Sequence, residues 1–221
     1  MALFVVTGGA GFIGSHLVEA LVARGERVRV VDDLSSGRVE NLTRAGWKEG
    51  DRGGAQVELL RGDVTDRELV RAAVRGARGV YHEAAQVSVP ASIRDPELSY
   101  RVNVMGTLNV LEAARAERVG KVVFAASSAA YGDDPRLPKV EDMVPKPLSP
   151  YASGKLAGEA LLSTWGRAYG LETVALRYFN VYGPCQADDS PYSGVIALFA
   201  PHLLERRAPP IFRHRRRSRD F

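Results

Sequence analysis

The chain has 221 residues, enough for one sizeable packed domain, and its 45% hydrophobic and 25% charged residues are typical of a globular protein. Its single cysteine, Cys185, excludes an intrachain disulfide and a cysteine-based zinc site. The net charge of +4 comes from residues 213–221, which hold five Arg and one Asp, because residues 1–212 contain 25 basic and 25 acidic side chains. We therefore expect no nucleic-acid partner. Without a long apolar run or a leader pattern, we expect a cytoplasmic protein with no membrane contact.

Short apolar runs alternate with amphipathic stretches along the chain. The runs predict six strands, at Leu3–Thr7, Val28–Val31, Val57–Leu60, Gly79–His82, Lys121–Ala126 and Thr173–Leu176. The amphipathic stretches predict helices at Phe12–Arg24, Asp66–Arg75, Glu97–Glu117, Pro150–Tyr169 and Val195–Arg206. Asp95 is expected to cap the third helix, with Pro96 at its first position. Strands that alternate with such helices form parallel βαβ units, so the sequence predicts an α/β fold with a doubly wound parallel sheet.

The first turn, T-G-G-A-G-F-I-G, has the spacing of a dinucleotide-binding turn between a strand and a helix. Gly9, Gly11 and Gly14 fit G-x-G-x-x-G, and Gly8, Gly11 and Gly14 fit G-x-x-G-x-x-G equally well. Glycines let a diphosphate approach the backbone, and the N-terminus of the following helix offers it free N–H groups.

An acidic residue follows at the end of the second strand. Asp32 lies 18 residues after Gly14, where a carboxylate can accept both ribose hydroxyls of NAD and repel the 2′-phosphate of NADP. Asp32 and Asp33 together favour NAD, and a helix-capping acid is the alternative for Asp32. Asp63 ends the third strand, where it predicts either an adenine contact or a helix cap.

Tyr151 and Lys155 are four residues apart on a predicted helix and therefore share one face. A phenol is too weak an acid to serve as a base at neutral pH, and a neighbouring ammonium with a positive nicotinamide ring is expected to lower its pKa. Ser127 closes the fifth strand, where its hydroxyl can bind a substrate oxygen and Tyr151, with Ser128 as the alternative. The structural alternative for Tyr151 and Lys155 is a pair of surface residues on a helix. The structural alternative for Ser127 and Ser128 is a pair of small residues at a strand-to-loop turn.

The histidines and Cys185 are expected to have packing roles and no catalytic role. His82 is expected to pack at the edge of the cofactor site. No two histidines have metal-ligand spacing, and Cys185 has no local base, so we predict neither a metal site nor a cysteine nucleophile.

The motifs together resemble the extended short-chain dehydrogenase/reductase family over nearly all of residues 1–212. The resemblance rests on T-G-G-A-G-F-I-G-S-H-L, V-D-D-L-S-S-G, H-E-A-A-Q-V-S-V-P, N-V-M-G-T, S-S-A-A-Y-G, Y-A-S-G-K and R-Y-F-N-V-Y-G-P, in that order. L-P-K-V-E-D, K-P-L-S-P-Y and S-V-P-A-S-I-R-D-P are most similar to bacterial UDP-N-acetylglucosamine 4-epimerases. The resemblance implies an NAD-dependent epimerase that takes hydride from C4 of a UDP-sugar and returns it to the other face of a 4-keto sugar.

The resemblance also implies residue roles, with Tyr151 as the base, Lys155 as its activator and Ser127 as the partner of the substrate oxygen. The implied cofactor-binding residues are Gly8, Gly11, Phe12, Ile13, Gly14, Asp32, Asp33, Ser36, Gly37, Asp63, Val64, Ala84, Ala85, Gln86, Asn103, Tyr151, Lys155 and Phe179. The implied substrate-binding residues are Ser88, Ser127, Tyr151 and Asn180. A homodimer through two helices is implied as well.

The resemblance divides the chain into an NAD-binding Rossmann domain, residues 1–180, and the start of a substrate-binding region, residues 181–221. The chain is expected to stop before the family's C-terminal sugar lobe. Its R-H-R-R-R-S-R-D-F tail departs from the family's G-D-G-x-x-x-R-D-F. The tail could bind an acidic partner, form a solvated end or result from a reading frame displaced by one base in a GC-rich gene.

Three alternatives to an epimerase stay open at this point. The resemblance implies that related sugar dehydratases and decarboxylases have a carboxylate beside the serine. In this chain Ser128, Ala129 and Ala130 follow Ser127, and this favours epimerisation. A non-catalytic NAD-binding fragment would keep the fold without turnover. A basic-tailed interaction protein is disfavoured by the balanced charge of residues 1–212. The sequence does not distinguish UDP-GlcNAc/GalNAc from UDP-Glc/Gal as the substrate pair.

Overall fold

The structure is a computed structural model that describes residues 1–51, 54–186 and 195–208. The chain divides into two compact units, Met1–Arg177 and Tyr178–Phe221. The arginine-rich tail lies outside the described residues. The division of function at residue 180 stays a prediction.

Six strands form one sheet in the order β3-β2-β1-β4-β5-β6. The strands are β1 (Leu3–Thr7), β2 (Arg27–Asp32), β3 (Val57–Arg61), β4 (Gly79–His82), β5 (Lys121–Ser127) and β6 (Glu172–Tyr178). The four pairings among β1 to β5 are parallel, so the carboxyl ends of these strands meet at one edge. The predicted α/β fold with a doubly wound parallel sheet is confirmed, and the order reverses next to β1, where such sheets bind ligands.

Eight α-helices are found among the described residues. They are α1 (Phe12–Ala23), α2 (Glu40–Thr43), α3 (Arg67–Val74), α4 (Val89–Arg94), α5 (Pro96–Tyr100), α6 (Thr107–Ala116), α7 (Pro150–Tyr169) and α8 (Val195–Leu204). Helices α2 and α4 are not predicted by the sequence, because four and six residues are too few to show a helical period. None of the described helices is long and apolar enough to cross a bilayer.

The helix predicted over Glu97–Glu117 is wrong as a single element. It begins as predicted, with Asp95 accepting a hydrogen bond from the Leu98 N–H and Pro96 at the first position. Residues Arg101–Gly106 then form a π-helical segment between α5 and α6. In this segment Asn103 bonds to a distant part of the chain and its carbonyl accepts the Thr107 hydroxyl, which competes with the regular helical ladder.

The core lies on both faces of the sheet. One face packs against α1 and α2, and its largest fully buried residues include Val6, Val18, Val30 and Leu42. The other face packs against α3, α6 and α7 around Phe124, Leu111 and Leu162.

Helix α7 contributes no side chain at one point of its contact with strand β5. A Cβ atom placed on Gly158 would lie 2.5 Å from the ring of Phe124, which is inside van der Waals contact. The glycine therefore allows the helix that carries Tyr151 and Lys155 to rest directly on the buried aromatic ring.

Candidate active site

The turn after β1 depends on close approaches that only glycine allows. Gly8 has a φ of +67°, and a Cβ there would lie 2.7 Å from the main-chain nitrogen of Ala84. A Cβ on Gly14 would lie 2.2 Å from the carbonyl oxygen of Gly8. The Gly8 N–H donates to the Val31 carbonyl, so the turn stays attached to β2.

The first turn of α1 fits a diphosphate. Gly11 precedes the helix, no side chain caps it and no acidic residue stands in its first turn. A helix begins with N–H groups that have no partner within the helix, and these groups favour an anion. Phe12 and Ile13 supply the first of these N–H groups, and their contact with a phosphate stays a prediction.

Asp32 is buried beside this turn, with 7% of its surface exposed. Its Oδ2 accepts the Ala10 N–H and its Oδ1 accepts the Leu34 N–H, each at 2.9 Å. The carboxylate caps no helix in the described chain, so that alternative is wrong. Each oxygen keeps a lone pair for a further donor, which fits ribose hydroxyls. Burial raises the pKa of Asp32, and the two main-chain donors oppose this rise.

Other predicted cofactor residues near β2 and β3 form local turns. Asp33 is exposed and accepts hydrogen bonds from the N–H and hydroxyl of Ser35, and Ser36 is exposed as well. A Cβ on Gly37 would lie 2.8 Å from Oδ1 of Asp32, so glycine lets the loop lie close to the carboxylate.

Asp63 also forms a local turn, because its carboxylate accepts the Thr65 N–H. Helix α3 is capped by Asp66, so the helix-cap interpretation of Asp63 is wrong. Val64 lies in the core and packs close to Gly106. The adenine contacts of Asp63 and Val64 stay predictions.

The segment Ala84–Gln86 follows β4 and is held by hydrogen bonds at both ends. The Ala84 N–H donates to the Thr7 hydroxyl. The Asn103 side chain accepts the Gln86 N–H at 2.9 Å and donates to the Gln86 carbonyl at 3.1 Å. Ala84, Ala85, Gln86 and Asn103 are thus brought together as one fixed unit.

Helix α7 and strand β5 bring the three predicted catalytic residues together. The Ser127 side chain lies close enough to the Tyr151 phenol to lower its pKa, and Lys155 lies one turn further along α7. Ser127, and not Ser128, acts on the phenol in this way. Ser128 instead begins a 3-10 turn, Ser128–Tyr131.

Burial raises the pKa of Tyr151, and the hydrogen bond with Ser127 opposes this rise only in part. The sequence predicted a lowered pKa for this phenol, so that direction is wrong for the protein by itself. The physical reason is desolvation, which disfavours the charged phenolate and depends on packing that a four-residue spacing cannot reveal.

Lys155 is almost fully buried, at 3% exposure. Its Nζ donates to the Ala125 carbonyl at 2.7 Å and lies 4.8 Å from the centre of the Phe124 ring. Burial lowers the pKa of Lys155 to about 8, while the carboxylate of Glu83 opposes the shift. The Lys155 ammonium is therefore bonded to the end of β5, the strand that also carries Ser127.

Ser88, Phe179 and Asn180, the other residues predicted near the coenzyme and the sugar, lie outside α7 and β5. The Ser88 hydroxyl accepts the Ala91 N–H and caps α4. Phe179 and Asn180 belong to the second unit, and their contacts stay predictions.

Sequence reasoning missed Ser92. Its hydroxyl accepts the main-chain N–H of Tyr151. Ser92 lies in the S-V-P-A-S-I-R-D-P motif, but the motif gave it no role because α4 was not predicted. No group of three or more His, Cys, Asp and Glu side chains that could hold a metal occurs among residues 1–51, 54–186 and 195–208.

Comparison with known proteins decides the family. Residues 4–221 match the model of the NAD dependent epimerase/dehydratase family. The chain belongs to this family. A UDP-glucose 4-epimerase of Mycolicibacterium smegmatis is 42% identical over 219 residues, which is 98% of this chain and 68% of that protein.

Solved structures of epimerases share the fold of this family member. A UDP-N-acetylglucosamine 4-epimerase from Methanobrevibacter ruminantium M1, in complex with UDP-N-acetylmuramic acid, superimposes with a TM-score of 0.86 at 37% identity, covering 96% of this chain and 65% of that one. A UDP-glucose 4-epimerase from Thermus thermophilus, in complex with NAD, gives a TM-score of 0.81 at 45% identity, with coverages of 93% and 63%. The chain thus spans about two thirds of the length of these relatives.

Proposed function

We propose that the chain binds NAD and epimerises C4 of a UDP-sugar through a 4-keto intermediate. The observation that carries the proposal is the Ser127 side chain next to the Tyr151 phenol, with the buried Lys155 one helical turn away and bonded to the Ala125 carbonyl at the end of β5. The substrates named for the similar epimerases support a UDP-sugar with glucose or N-acetylglucosamine as the sugar class.

The residues that would hold NAD are those whose geometry fits it. The first turn of α1 would bind the diphosphate, and Asp32 would bind the adenosine ribose. The segment Ala84–Gln86 would border the bound coenzyme. When bound, NAD accepts the hydride from C4 and returns it.

The protein's own side chains would supply the proton chemistry. Tyr151 would take the proton of the sugar 4-hydroxyl and later give it back, and Ser127 would hold the same oxygen by a hydrogen bond. Because burial raises the pKa of Tyr151, positive charge is needed nearby to stabilise the phenolate. Lys155, which is protonated below about pH 8, would supply part of that charge.

Dehydration of a sugar is the other activity in the name of the family. The residues that follow Ser127 favour epimerisation, because Ser128, Ala129 and Ala130 form the 3-10 turn and none carries a carboxylate for elimination. The proposed substrate region from residue 181, the homodimer and the cytoplasmic location remain predictions. A non-catalytic NAD-binding chain remains the second hypothesis, because the similar epimerases are about half as long again.

The experiment is a direct assay of the purified chain. Bound NAD is measured in the preparation, UDP-glucose or UDP-N-acetylglucosamine is added, and NADH absorbance and the 4-epimer are followed. We expect product from the parent, loss of product in Tyr151→Phe and unchanged product in Tyr169→Phe, a phenol on the surface of α7. Bound NAD without any sugar-dependent change would support the non-catalytic hypothesis.

A further inference from the structure

His82 is a fully buried histidine at the end of β4, with 1% of its surface exposed. Its Nδ1 lies 2.7 Å from the Thr7 hydroxyl and its Nε2 lies 3.0 Å from the Thr107 hydroxyl. The ring also packs against Phe124, at 5.6 Å between ring centres. Both ring nitrogens are thus paired.

The direction of each hydrogen bond follows from the number of protons available. The single hydroxyl proton of Thr107 is donated to the Asn103 carbonyl at 2.7 Å, so this oxygen can only accept from the ring. Nε2 of His82 must therefore carry a proton. The Thr7 oxygen already accepts the Ala84 N–H at 3.2 Å, which leaves its own proton for Nδ1.

The ring is neutral as well as oriented. Burial, with a smaller effect of the positive Lys155, lowers the pKa of His82 to about 3. A neutral ring with a proton on Nε2 satisfies every bond in this chain of groups, whereas a proton on Nδ1 would leave Thr107 facing an unprotonated nitrogen with no proton to offer.

Both ends of this chain of hydrogen bonds reach the segment Ala84–Gln86. On one side Thr7 holds the Ala84 N–H next to the Gly8 turn. On the other side the Thr107 hydroxyl fixes the carbonyl of Asn103, whose side chain pairs with both main-chain groups of Gln86. His82 joins the two sides.

We propose that His82 is a positioning residue: as a neutral ring protonated on Nε2, it holds Ala84–Gln86 against the Gly8 turn and thereby sets the affinity for the coenzyme. The effect on coenzyme affinity rests on the proposed function, whereas the proton position and the fixing of the segment do not. His82 acts through Thr7 and Thr107, and it is distinct from the catalytic set.

The proton position is tested by nitrogen NMR of the parent protein labelled with 15N-histidine. Between pH 6 and pH 8 the His82 ring is expected to show a protonated Nε2 and an unprotonated Nδ1. A proton on Nδ1, or on both nitrogens, in that range would overturn the proposal.

The positioning role is tested with Thr107→Val, which removes the hydroxyl that links the ring to Asn103. Loss of its two hydrogen bonds, to the Asn103 carbonyl and from His82 Nε2, should weaken NAD binding at least about fivefold, measured by titration calorimetry, and speed amide exchange at Gln86. Thr107→Ser keeps the hydroxyl and should restore both. Thr173→Val is the matched control, because it removes a hydroxyl bond to the Leu162 carbonyl outside this network.

The possible outcomes separate the two proposals. The role of His82 would be overturned if Thr107→Val and Thr107→Ser changed NAD affinity and amide exchange at Gln86 equally. It would also be overturned if Thr173→Val weakened NAD binding as much as Thr107→Val, or if no variant had any effect. A parent that does not bind NAD would refute the proposed function, and amide exchange at Gln86 would still decide the positioning role. If Thr107→Val does not fold, Thr7→Val is assessed in the same way through exchange at Ala84.

Discussion

The main-chain N–H of Tyr151 donates to the hydroxyl of Ser92, 3.2 Å away, so the helix that carries the candidate base is anchored to α4. Ser92 is completely buried, and its own proton goes to the Val89 carbonyl. Tyr151 is the second residue of α7, where an N–H has no partner within the helix. Ser149 caps the next residue, Ala152, so Ser92 completes the first turn of the helix.

Ser92→Ala would leave the partly buried Tyr151 N–H without this acceptor. Because the first turn of α7 then loses its anchor, we expect kcat for epimerisation to fall about tenfold, with KM changed little. Asp66→Ala is the control, since it removes the cap of α3 at a similar loss of stability. An equal fall of kcat in both variants would show that the effect is one of stability alone.

The pKa of Tyr151 should fall when NAD is added. Burial raises this pKa in the protein, and a positive ring nearby would stabilise the phenolate. The measurement is the tyrosinate absorbance of the parent minus that of Tyr151→Phe, titrated with and without NAD. The rate of epimerisation should rise with pH through the lowered pKa, and a titration curve that NAD leaves unchanged would contradict this view of the base.

Lys155 should make stability rise with pH in alkaline solution. Its pKa is about 8 in the folded protein against an ordinary value of 10.5, so both states are protonated below pH 8. Between pH 8 and 10.5 the unfolded chain keeps the proton that the folded chain has lost, and the free energy of unfolding increases. Relative to Lys155→Met, the gain of the parent should be on the order of 3 kcal/mol in urea titrations. Parallel curves for parent and variant would contradict the assignment.

His82 should make stability fall in acid. Its pKa is about 3 in the folded protein against an ordinary value of 6.5. As the pH falls from 6.5 to 3, the unfolded chain gains a proton that the folded chain does not, so the free energy of unfolding decreases by up to about 5 kcal/mol. Thermal unfolding of His82→Gln, which cannot titrate, should show a shallower loss over the same range. The same slope in both proteins would mean that the ring takes up a proton without unfolding.

Gly14→Ala should disrupt the turn after β1. The new Cβ would lie 2.2 Å from the Gly8 carbonyl oxygen, a backbone atom that cannot move without moving the turn. We expect NAD affinity to fall at least about tenfold and stability to decrease by a few kcal/mol, on the order of an overpacking defect. Gly166→Ala in α7, where the nearest atom would be 3.3 Å away, should leave NAD affinity unchanged. Equal NAD affinities in the two variants would show that the turn does not depend on this glycine.

Local sequence signals predicted much of the fold. The alternation of apolar runs located all six strands to within two residues, and Ser149-Pro150 with Gly170 marks the ends of α7. Features that depend on distant partners were missed. The π-helical segment contains Asn103, which pairs with Gln86, 17 residues earlier, and no helical period contains that information.

In the candidate site, too, local signals were predicted from the sequence and features that depend on distant residues were not. The spacing of Tyr151 and Lys155 predicted a shared face, and the end of β5 predicted Ser127 or Ser128 without choosing between them. The choice required three-dimensional packing, as did the raised pKa of Tyr151 and the anchoring by Ser92.

The contact between Gly158 and Phe124 limits which sequences can keep this site. Since a Cβ at position 158 would lie 2.5 Å from the buried Phe124 ring, a single methyl group must displace either the ring or α7. A displaced α7 would carry the phenol and the ammonium away from the serine hydroxyl on β5. The placement of the reactive groups thus depends on a residue that contributes no side chain at all.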